Sequence, residues 1–223
     1  MYSSPEAALS DVFAGAVVLI GGFAGSGVPQ TLIKGLLEKG VGDLTCICSP
    51  AARTTQPDAF DVNRLVASGQ VRKLISPLPF YPGAGGPVEE QWRAGRLEIE
   101  VAPQGTLAER LRAGGAGLGG VFIPTGGGTR FQEGKEVRAI GGRECLLEMP
   151  LKADFALFQA EAADTLGNVV YQGTRRGWGP VMAMAAKVSI AEVSQICEPG
   201  SLNPEAVVTP GIFVNRVVQS HLS

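Results

Sequence analysis

The chain has 223 residues, and its 19 basic and 21 acidic residues give a formal net charge of -2. There is no basic surplus to favour nucleic acid as a partner, and no apolar segment is long enough to span a bilayer. Hydrophobic residues make up 45% of the chain, enough for one large domain over residues 1–223. The first six residues lack the regions of a signal peptide, which predicts a cytoplasmic protein.

The cysteines and the single histidine argue against metal and triad chemistry. Cys46 and Cys48 are one residue apart, which is neither a C-x-x-C motif nor a zinc-ligand spacing. With Cys145 and Cys197, they are predicted to be reduced and mostly buried thiols. His221 is the one histidine, which argues against both a histidine-based triad and a multi-histidine metal site.

The N-terminal part alternates between helix and strand signals. Ser4 and Pro5 predict a helix start. An apolar run at 17–20 predicts a buried strand, and leucines and isoleucines at helical spacing after it predict a helix ending at Gly40. Residues 44–48 predict a second strand, so the segment is expected to form a right-handed parallel strand–helix–strand unit.

A glycine-rich turn at 21–29 joins the first strand to its helix. Its glycines are in the wrong order for a dinucleotide fingerprint, and Val28 stands where a Walker motif needs lysine. Pro29 suits the first turn of the helix. The turn is expected to expose free N–H groups at a helix N-terminus, where anions and polarised carbonyls bind well. The alternative is a tight structural connection.

The middle of the chain contains a second glycine-rich loop. Thr106 and Glu109 have capping-box spacing, which places Gln104 and Gly105 just before a helix. A strand predicted at 121–123 runs into the glycine loop at 124–129, and ligands bind at the carboxyl edge of open α/β sheets. Further strands are predicted at 71–75, 97–101, 154–160 and 188–193, and a helix from 180 to 187.

These elements predict an α/β protein with a single open, largely parallel sheet flanked by helices. Between the strand at 71–75 and a short helix near 89–93, residues 77–87 are rich in proline and glycine. The sequence leaves open whether this segment is a functional lid or a surface excursion.

Six segments together resemble the A (α) subunit of family I coenzyme A transferases that act on 3-oxo acids. They are Gly21-Gly22-Phe23 with Gly27 and Pro29, and the stretches 103–110, 124–129, 147–156, 164–168 and 209–214. The resemblance implies the coenzyme A transferase/ribose-phosphate-isomerase-like fold. It also implies transfer of coenzyme A through a glutamyl thioester, which divides one exchange into two half-reactions.

The nucleophilic glutamate of this resemblance is expected on another chain. In two-subunit members it lies in a Ser-Glu-Asn-Gly motif on the B (β) subunit, and no Glu-Asn pair occurs in this sequence. The resemblance therefore implies a chain active only with that β subunit, in an A₂B₂ heterotetramer. Coenzyme A thioester is expected as a substrate, with no permanently bound cofactor.

The candidate site residues follow from the resemblance and from residue chemistry. Gln104 is expected to donate its amide to the developing oxyanion, although it can also serve only as a helix-end hydrogen bonder. The backbone N–H groups of the glycine turn are expected to contact coenzyme A or the acyl carbonyl. The cofactor-binding candidates are Gly22, Phe23, Ala24, Gly25, Ser26 and Gly27, with Thr125, Gly126 and Gly127 bounding the acyl or pantetheine pocket unless that loop is purely structural.

A second carboxylate on the substrate is expected to pair with Arg53, Arg175 or Arg176. Most acidic residues are solvated or paired, so Glu148 and Asp154 are predicted to pair with Arg175 or Lys152.

The sequence departs from the family pattern at three places, which leaves the acyl substrate open. These are Ala14, the stretch 49–53 and the stretch 175–178. Residues 179–187 look most like the 3-oxoadipate branch, which uses succinyl-coenzyme A, and acetoacetate is the next candidate. Other hypotheses are a sugar-phosphate isomerase-like enzyme or effector-binding module on the same fold, or a purely structural partner of the β subunit. An isomerase needs its own acid–base pair, and none is evident.

Overall fold

The structure is a computed structural model, and it describes residues 1–51 and 59–221. The helices are α1 (Pro5–Ala8), α2 (Gln30–Lys39), α3 (Val62–Ala67), α4 (Pro87–Arg93), α5 (Gln104–Ala116) and α6 (Gly179–Ala185). The strands are β1 (Val17–Ile20), β2 (Leu44–Cys48), β3 (Val71–Ser76), β4 (Glu98–Val101), β5 (Val121–Ile123), β6 (Val137–Ile140), β7 (Arg143–Glu148), β8 (Ala153–Asp164), β9 (Val169–Val170), β10 (Ala186–Cys197) and β11 (Arg216–Gln219). Short 3₁₀ turns lie at Arg130–Gln132, Gly173–Arg176, Pro204–Ala206 and Gly211–Phe213.

The main sheet confirms the predicted open, largely parallel α/β architecture. Its strand order is β11-β10-β8-β1-β2-β3-β4, and β9 pairs with β8. Every pair along the path is parallel, and only β9 runs antiparallel to its neighbour. The carboxyl ends of β1, β2 and β4 therefore meet at one edge of the sheet.

Residues 121–123 form a strand, as predicted, but this strand does not belong to the main sheet. β5 pairs antiparallel with β7, and β7 pairs antiparallel with β6, in a separate three-stranded sheet. Gly141 and Gly142 form the two-residue turn of the β6–β7 hairpin, with φ values of 58° and 76°. A Gly-Gly pair between two short strands is a hairpin signal, although no hairpin was predicted here. The expectation that the 124–129 loop lies at the edge of the parallel sheet was therefore wrong.

Strand β8 projects well beyond the end of β1. Ile20 pairs with Leu157, after which the chain of β1 enters the glycine turn while β8 continues to Asp164. At about 3.3 Å per residue, β8 and its partner β10 extend roughly 20 Å past that point. They form a wall beside the glycine turn.

Helix α2 shows why this part of the chain was predictable. Leu32, Ile33 and Leu36 are fully buried in the core cluster that also contains Val18 and Ile20. Gly40 closes the helix in the left-handed conformation, with φ of 68°, which a glycine adopts without a Cβ penalty. A second buried cluster packs on the other face of the sheet around Leu107, Leu111 and Phe158.

The capping box predicted at Thr106 was wrong. Helix α5 begins at Gln104, and its first helical hydrogen bond runs from Leu107 N to Pro103 O over 2.9 Å. Thr106 therefore lies inside the first turn, where its buried hydroxyl has no hydrogen-bond partner. Glu109 pairs with Arg112 instead of capping the helix. Gln104 is consequently the first helical residue rather than a residue before the helix.

The four cysteines are free thiols, and all but the half-buried Cys197 are buried, as predicted. Burial raises the pKa of the Cys48 thiol to about 12, so this thiol is not a thiolate near neutral pH. Within residues 1–51 and 59–221, no helix has the length and apolarity needed to cross a membrane.

Candidate functional site

The glycine turn folds as a tight hairpin rather than as an open loop. Phe23 and Ser26 exchange two backbone hydrogen bonds of 2.9 Å, with Ala24 and Gly25 between them at φ of 49° and 84°. Two consecutive positive φ values are the signature of a type I′ turn. Ala24 is not a glycine, so this conformation costs on the order of 1 kcal/mol.

The hairpin uses some of its N–H groups and leaves others open. The N–H groups of Phe23 and Ser26 donate to each other's carbonyl oxygens within the hairpin. Those of Ala24, Gly25 and Gly27 donate to no other atom in the described part of the chain. Ala24 and Gly25 are also exposed. Three of the five N–H groups from 23 to 27 therefore lack a partner among the described residues, but Gly27 is buried, so those of Ala24 and Gly25 are the two accessible to a ligand.

The N-terminus of helix α2 is not free, contrary to the sequence-based expectation. The buried Glu192 carboxylate on β10 accepts a hydrogen bond from Leu32 N over 3.0 Å. Its other oxygen accepts from Ser220 Oγ over 3.0 Å. Burial raises the pKa of Glu192, and the hydrogen bonds from Leu32 and Ser220 oppose that shift. The protein's own carboxylate thus occupies the place that a ligand anion was expected to take.

Two glycines of the turn are required by close approach as well as by backbone angle. Gly22 has φ of 113°, and a Cβ there would lie 2.6 Å from Val28 Cγ2. Gly27 has φ of 72°, and a Cβ there would lie 2.7 Å from the Arg175 carbonyl oxygen. Any side chain would strain the backbone and push against its neighbour.

The segment that ends in Arg175 and Arg176 packs beside the glycine turn. Besides the approach of Arg175 to Gly27, the hydroxyls of Ser26 and Thr174 are 3.3 Å apart. The exposed arginines predicted as carboxylate ligands therefore lie near the predicted coenzyme A loop. The structure brings these two groups of candidates together.

The two arginines differ in what they already bind. Arg175 is paired with Glu161 of β8 at 3.3 Å. Arg176 makes no ion pair with any described residue. Burial raises the pKa of Tyr171 to about 12. The hydrogen bond with Thr209 and the positive charge of Arg176 both act to lower it. Arg176 is thus the arginine whose charge is not already neutralised.

A hydrogen bond to Ser49 connects the Gln104 side chain to the cleft beside the glycine turn. The cleft is lined by residues of the turn and of the segment after β2, including Phe23, Gly25 and Ser49. The Gln104 side chain donates from Nε2 to Ser49 Oγ over 3.0 Å. Because β1, β2 and β4 are parallel neighbours through β3, their carboxyl ends bring these three segments together.

Two cleft residues were missed by the sequence analysis. Asp61 caps helix α3 through hydrogen bonds from Asn63 N and Arg64 N. Asn63 Nδ2 also donates to Ala51 O over 3.1 Å, which ties the cleft wall to the segment after β2. An Asp before apolar residues at helical spacing, here 62, 65 and 66, is a helix-start signal, so the cap itself was detectable. The predicted ligand Arg53 lies outside the described residues.

The second glycine loop lies apart from this cleft. Thr129 Oγ1 donates to Gly126 O over 2.7 Å, and Gly128 N donates to Gln132 Oε1 over 2.8 Å. A Cβ at Gly126 would meet Phe131 and Leu146 of the small sheet. The described contacts of Thr125, Gly126 and Gly127 do not reach the glycine turn. Their place in a coenzyme A pocket stays a prediction.

The acidic residues outside the cleft have structural partners, but not the predicted ones. Glu148 pairs with Lys135 at 2.5 Å, and Asp154 pairs with Lys187 at 2.9 Å. Asp154 also accepts a hydrogen bond from Val17 N over 2.9 Å. Burial acts to raise the pKa of Asp154, but the Lys187 ammonium and the Val17 amide outweigh it and lower the pKa overall.

Hydrogen bonds and a ring contact hold loop 77–87 against helix α4. The buried Glu89 carboxylate accepts hydrogen bonds from the N–H groups of Gly83 and Gly85, and it pairs with Arg93 at 2.7 Å. The rings of Phe80 and Trp92 lie 5.5 Å apart. These contacts hold the loop against its own helix in this structure.

The chain belongs to the coenzyme A transferase family, as its sequence shows over nearly its whole length. The family model described as Coenzyme A transferase matches residues 2–220. Among curated proteins, the chain is 46% identical over 217 residues to the A subunit of 3-oxoadipate CoA-transferase from Pseudomonas putida, covering 97% of this chain and 92% of that one. It is 44% identical over 218 residues to the A subunit of succinyl-CoA:3-ketoacid coenzyme A transferase from Xanthomonas campestris pv. campestris, covering 97% and 87%.

The solved structures agree on the fold. Glutaconate coenzyme A-transferase from Acidaminococcus fermentans superposes with a TM-score of 0.83 at 19% identity, covering 97% of this chain and 74% of that one. The family model and the curated relatives confirm the resemblance to coenzyme A transferases drawn from the six sequence segments, and the chain is a transferase component.

Proposed function

We propose that this chain is the A (α) subunit of a two-subunit transferase that moves coenzyme A from succinyl-coenzyme A to a 3-oxo acid. The free N–H groups of the glycine hairpin beside Gln104 are the observation that carries the proposal. The names of the two relatives support succinyl-coenzyme A as donor and 3-oxoadipate as first acceptor, with acetoacetate next. The coenzyme A thioester is a substrate here and not a resident cofactor, and we place the reaction in the cytoplasm.

Each group in the cleft has a role in this proposal. The N–H groups of Ala24 and Gly25 contact the thioester or its acyl carbonyl. Gln104 donates an amide N–H to the oxyanion that develops on that carbonyl, a contribution worth about 3 kcal/mol for a single donor. The chain supplies donors whose positions are set by the hairpin and by Ser49, so they need little reorganisation when charge develops.

The nucleophile comes from the partner in this proposal. The thioester carbonyl is attacked by a carboxylate of the β subunit, coenzyme A leaves as the thiolate, and the resulting anhydride is reopened by that thiolate to give the glutamyl thioester and free acid. The second half-reaction runs the same steps in reverse with the acceptor acid. Because no Glu-Asn pair occurs in this chain, we assign this residue to the β subunit of an A₂B₂ assembly.

A second carboxylate on the acceptor binds near Arg176. Arg176 lies on the segment beside the glycine turn, and no described residue neutralises it. Arg175 contributes less because Glu161 already pairs with it. Arg53 stays a candidate from the sequence. A guanidinium binds a carboxylate bidentately, which favours a dicarboxylic 3-oxo acid over a monocarboxylic one.

Mixing experiments test the proposal. The purified chain, the β subunit from the same source, and the mixture are each assayed for exchange between succinyl-coenzyme A and 3-oxoadipate. We expect activity only in the mixture, and trapping with borohydride or hydroxylamine should locate the glutamyl thioester on the β subunit. A thioester formed on the isolated chain would refute the division of labour, and activity of the isolated chain on a sugar phosphate would favour the isomerase-like hypothesis.

A further inference from the structure

Ser49 is the residue through which Gln104 is connected to the cleft. It follows directly after β2, its surface is only 4% exposed, and it lines the cleft together with the glycine turn. Its hydroxyl oxygen lies 3.0 Å from Gln104 Nε2 and 3.5 Å from Gln104 Oε1. The serine hydroxyl therefore contacts the amide head group, the end of the side chain that carries the chemistry.

The backbone of Ser49 is held by the core of the protein. All five residues of β2 are buried between β1 and β3. The carbonyl oxygen of Ser49 accepts a hydrogen bond from the fully buried Ser76 Oγ over 3.3 Å. Two residues later, Ala51 N donates to Leu78 O over 3.1 Å. The buried strand and these two hydrogen bonds therefore fix the backbone position of Ser49.

Gln104 depends on such a fixed point because its own side chain is long. It is the first residue of α5 and is only half-buried, so helix formation does not determine its torsion angles. Within the described residues, Ser49 is its one side-chain hydrogen-bond partner. An amide nitrogen carries two N–H groups, and Ser49 takes one, which leaves the second for a ligand.

We propose that Ser49 is a positioning residue that holds the Gln104 amide in the orientation from which its second N–H donates to the oxyanion. The inference rests on the proposed function for its catalytic consequence, but the holding contact exists without it. A donor is effective only when it is fixed before charge develops, and Ser49 provides that fixation without touching the reacting atoms itself.

The kinetic test uses the complex of the full chain with the β subunit. Ser49→Ala is expected to lower kcat about tenfold with KM within about twofold, because one hydrogen bond is lost from the positioned donor. Ser49→Thr keeps the hydroxyl and should restore kcat to within about threefold. The matched control is Ser189→Ala, which removes a fully buried hydroxyl, bonded to Phe213 O, away from the cleft. It should lower thermal stability and leave kcat unchanged.

A double-mutant cycle separates positioning from an independent role. If Ser49 acts through Gln104, Ser49→Ala has no further effect, within about twofold, once Gln104→Ala is present. A double variant slower than Gln104→Ala by the full factor of Ser49→Ala would overturn the proposal. So would an unchanged kcat in Ser49→Ala.

A spectroscopic test does not require the proposed reaction. In the full chain with ¹⁵N-labelled glutamine, the side-chain signal absent from Gln104→Ala identifies the amide. We expect Ser49→Ala to accelerate solvent exchange of its protected proton about tenfold. An unchanged signal would overturn the positioning role. Normal Gln104 restraint by Ser49 together with an inactive wild-type complex would instead refute only the proposed transferase function.

Discussion

Two glycine-rich loops that look alike in the sequence occupy different kinds of place in the protein. The turn after β1 lies at the carboxyl edge of the parallel sheet, beside the Ser49–Gln104 contact. The loop after β5 lies in a three-stranded antiparallel sheet, and Thr129 and Gln132 tie it to itself. The sheet that a strand joins, and not the glycine content of the loop after it, determines whether that loop reaches the cleft.

The comparison can be tested most strongly at one pair of glycines. Gly27 and Gly128 have nearly the same φ, 72° and 69°. A Cβ at Gly27 would lie 2.7 Å from the Arg175 carbonyl oxygen, whereas a Cβ at Gly128 would meet nothing within 4 Å. Gly27→Ala should lower kcat/KM at least a hundredfold, because the segment carrying both arginines must move.

Gly128→Ala is the matched control for that variant. It carries the same backbone strain, about 1 kcal/mol of stability, with no displaced neighbour and no expected loss of activity. The checks are thermal unfolding and steady-state kinetics of both complexes. Equal losses of activity would mean that backbone strain, and not position in the fold, explains the effect at Gly27.

A second test compares the glutamine beside each loop. Gln104→Ala should lower kcat by about 10²- to 10³-fold, the usual effect of removing one oxyanion donor. Gln132→Ala removes the acceptor of the Gly128 N–H and should cost less than about 1.5 kcal/mol of stability with kcat unchanged. Single-turnover transfer from succinyl-coenzyme A measures the chemical step in each. If the two variants lost activity equally, the second loop would belong to the site.

The parallel part of the fold could be predicted from local signals. Helix α2 has its apolar residues at helical spacing and a glycine at its end, and β2 is one apolar run, so the strand–helix–strand unit was correct. The small sheet was missed because β6 is exposed at every residue, so it has no alternation of buried and exposed positions. Only its Gly141–Gly142 turn marked it.

The site could be predicted only in part, for a related reason. A family resemblance pointed to Gln104 and the glycine turn, and in the structure Ser49 connects them, because it contacts Gln104 and lines the cleft beside the turn. Glu192 could not be found from the sequence, because it is 160 residues away from its partner Leu32. Ser49 was noticed only as a departure from a pattern. Contacts between strands that are neighbours in space but distant in the chain leave no local signal.

A third test compares one arginine near each of the two glycine-rich loops. Arg176 lies on the segment beside the glycine turn, and Arg130 follows the second loop. Arg176→Ala should raise KM for 3-oxoadipate about tenfold, the loss expected for one charge-assisted pair, and leave KM for acetoacetate unchanged. Arg175→Ala should have a smaller effect because Glu161 already pairs with it.

Arg130→Ala serves as the control and should leave both constants unchanged. Unchanged KM for 3-oxoadipate in Arg53→Ala, Arg175→Ala and Arg176→Ala alike would remove the carboxylate assignment altogether. An effect confined to Arg130→Ala would move the acceptor site to the second loop.

The smallest expected effects have opposite signs at two threonines. Thr106 Oγ1 is buried without a partner, so Thr106→Val should raise the free energy of unfolding by about 1 kcal/mol, because valine has the same shape and leaves no hydroxyl unpaired. Thr129 Oγ1 donates to Gly126 O and accepts from Phe131 N, so Thr129→Val should lower it by about 1 kcal/mol. Denaturant unfolding of the two variants measures both. Should Thr106→Val be destabilising, its hydroxyl has a partner such as a bound water, and the first turn of α5 beside Gln104 is then a more polar site than the described contacts indicate.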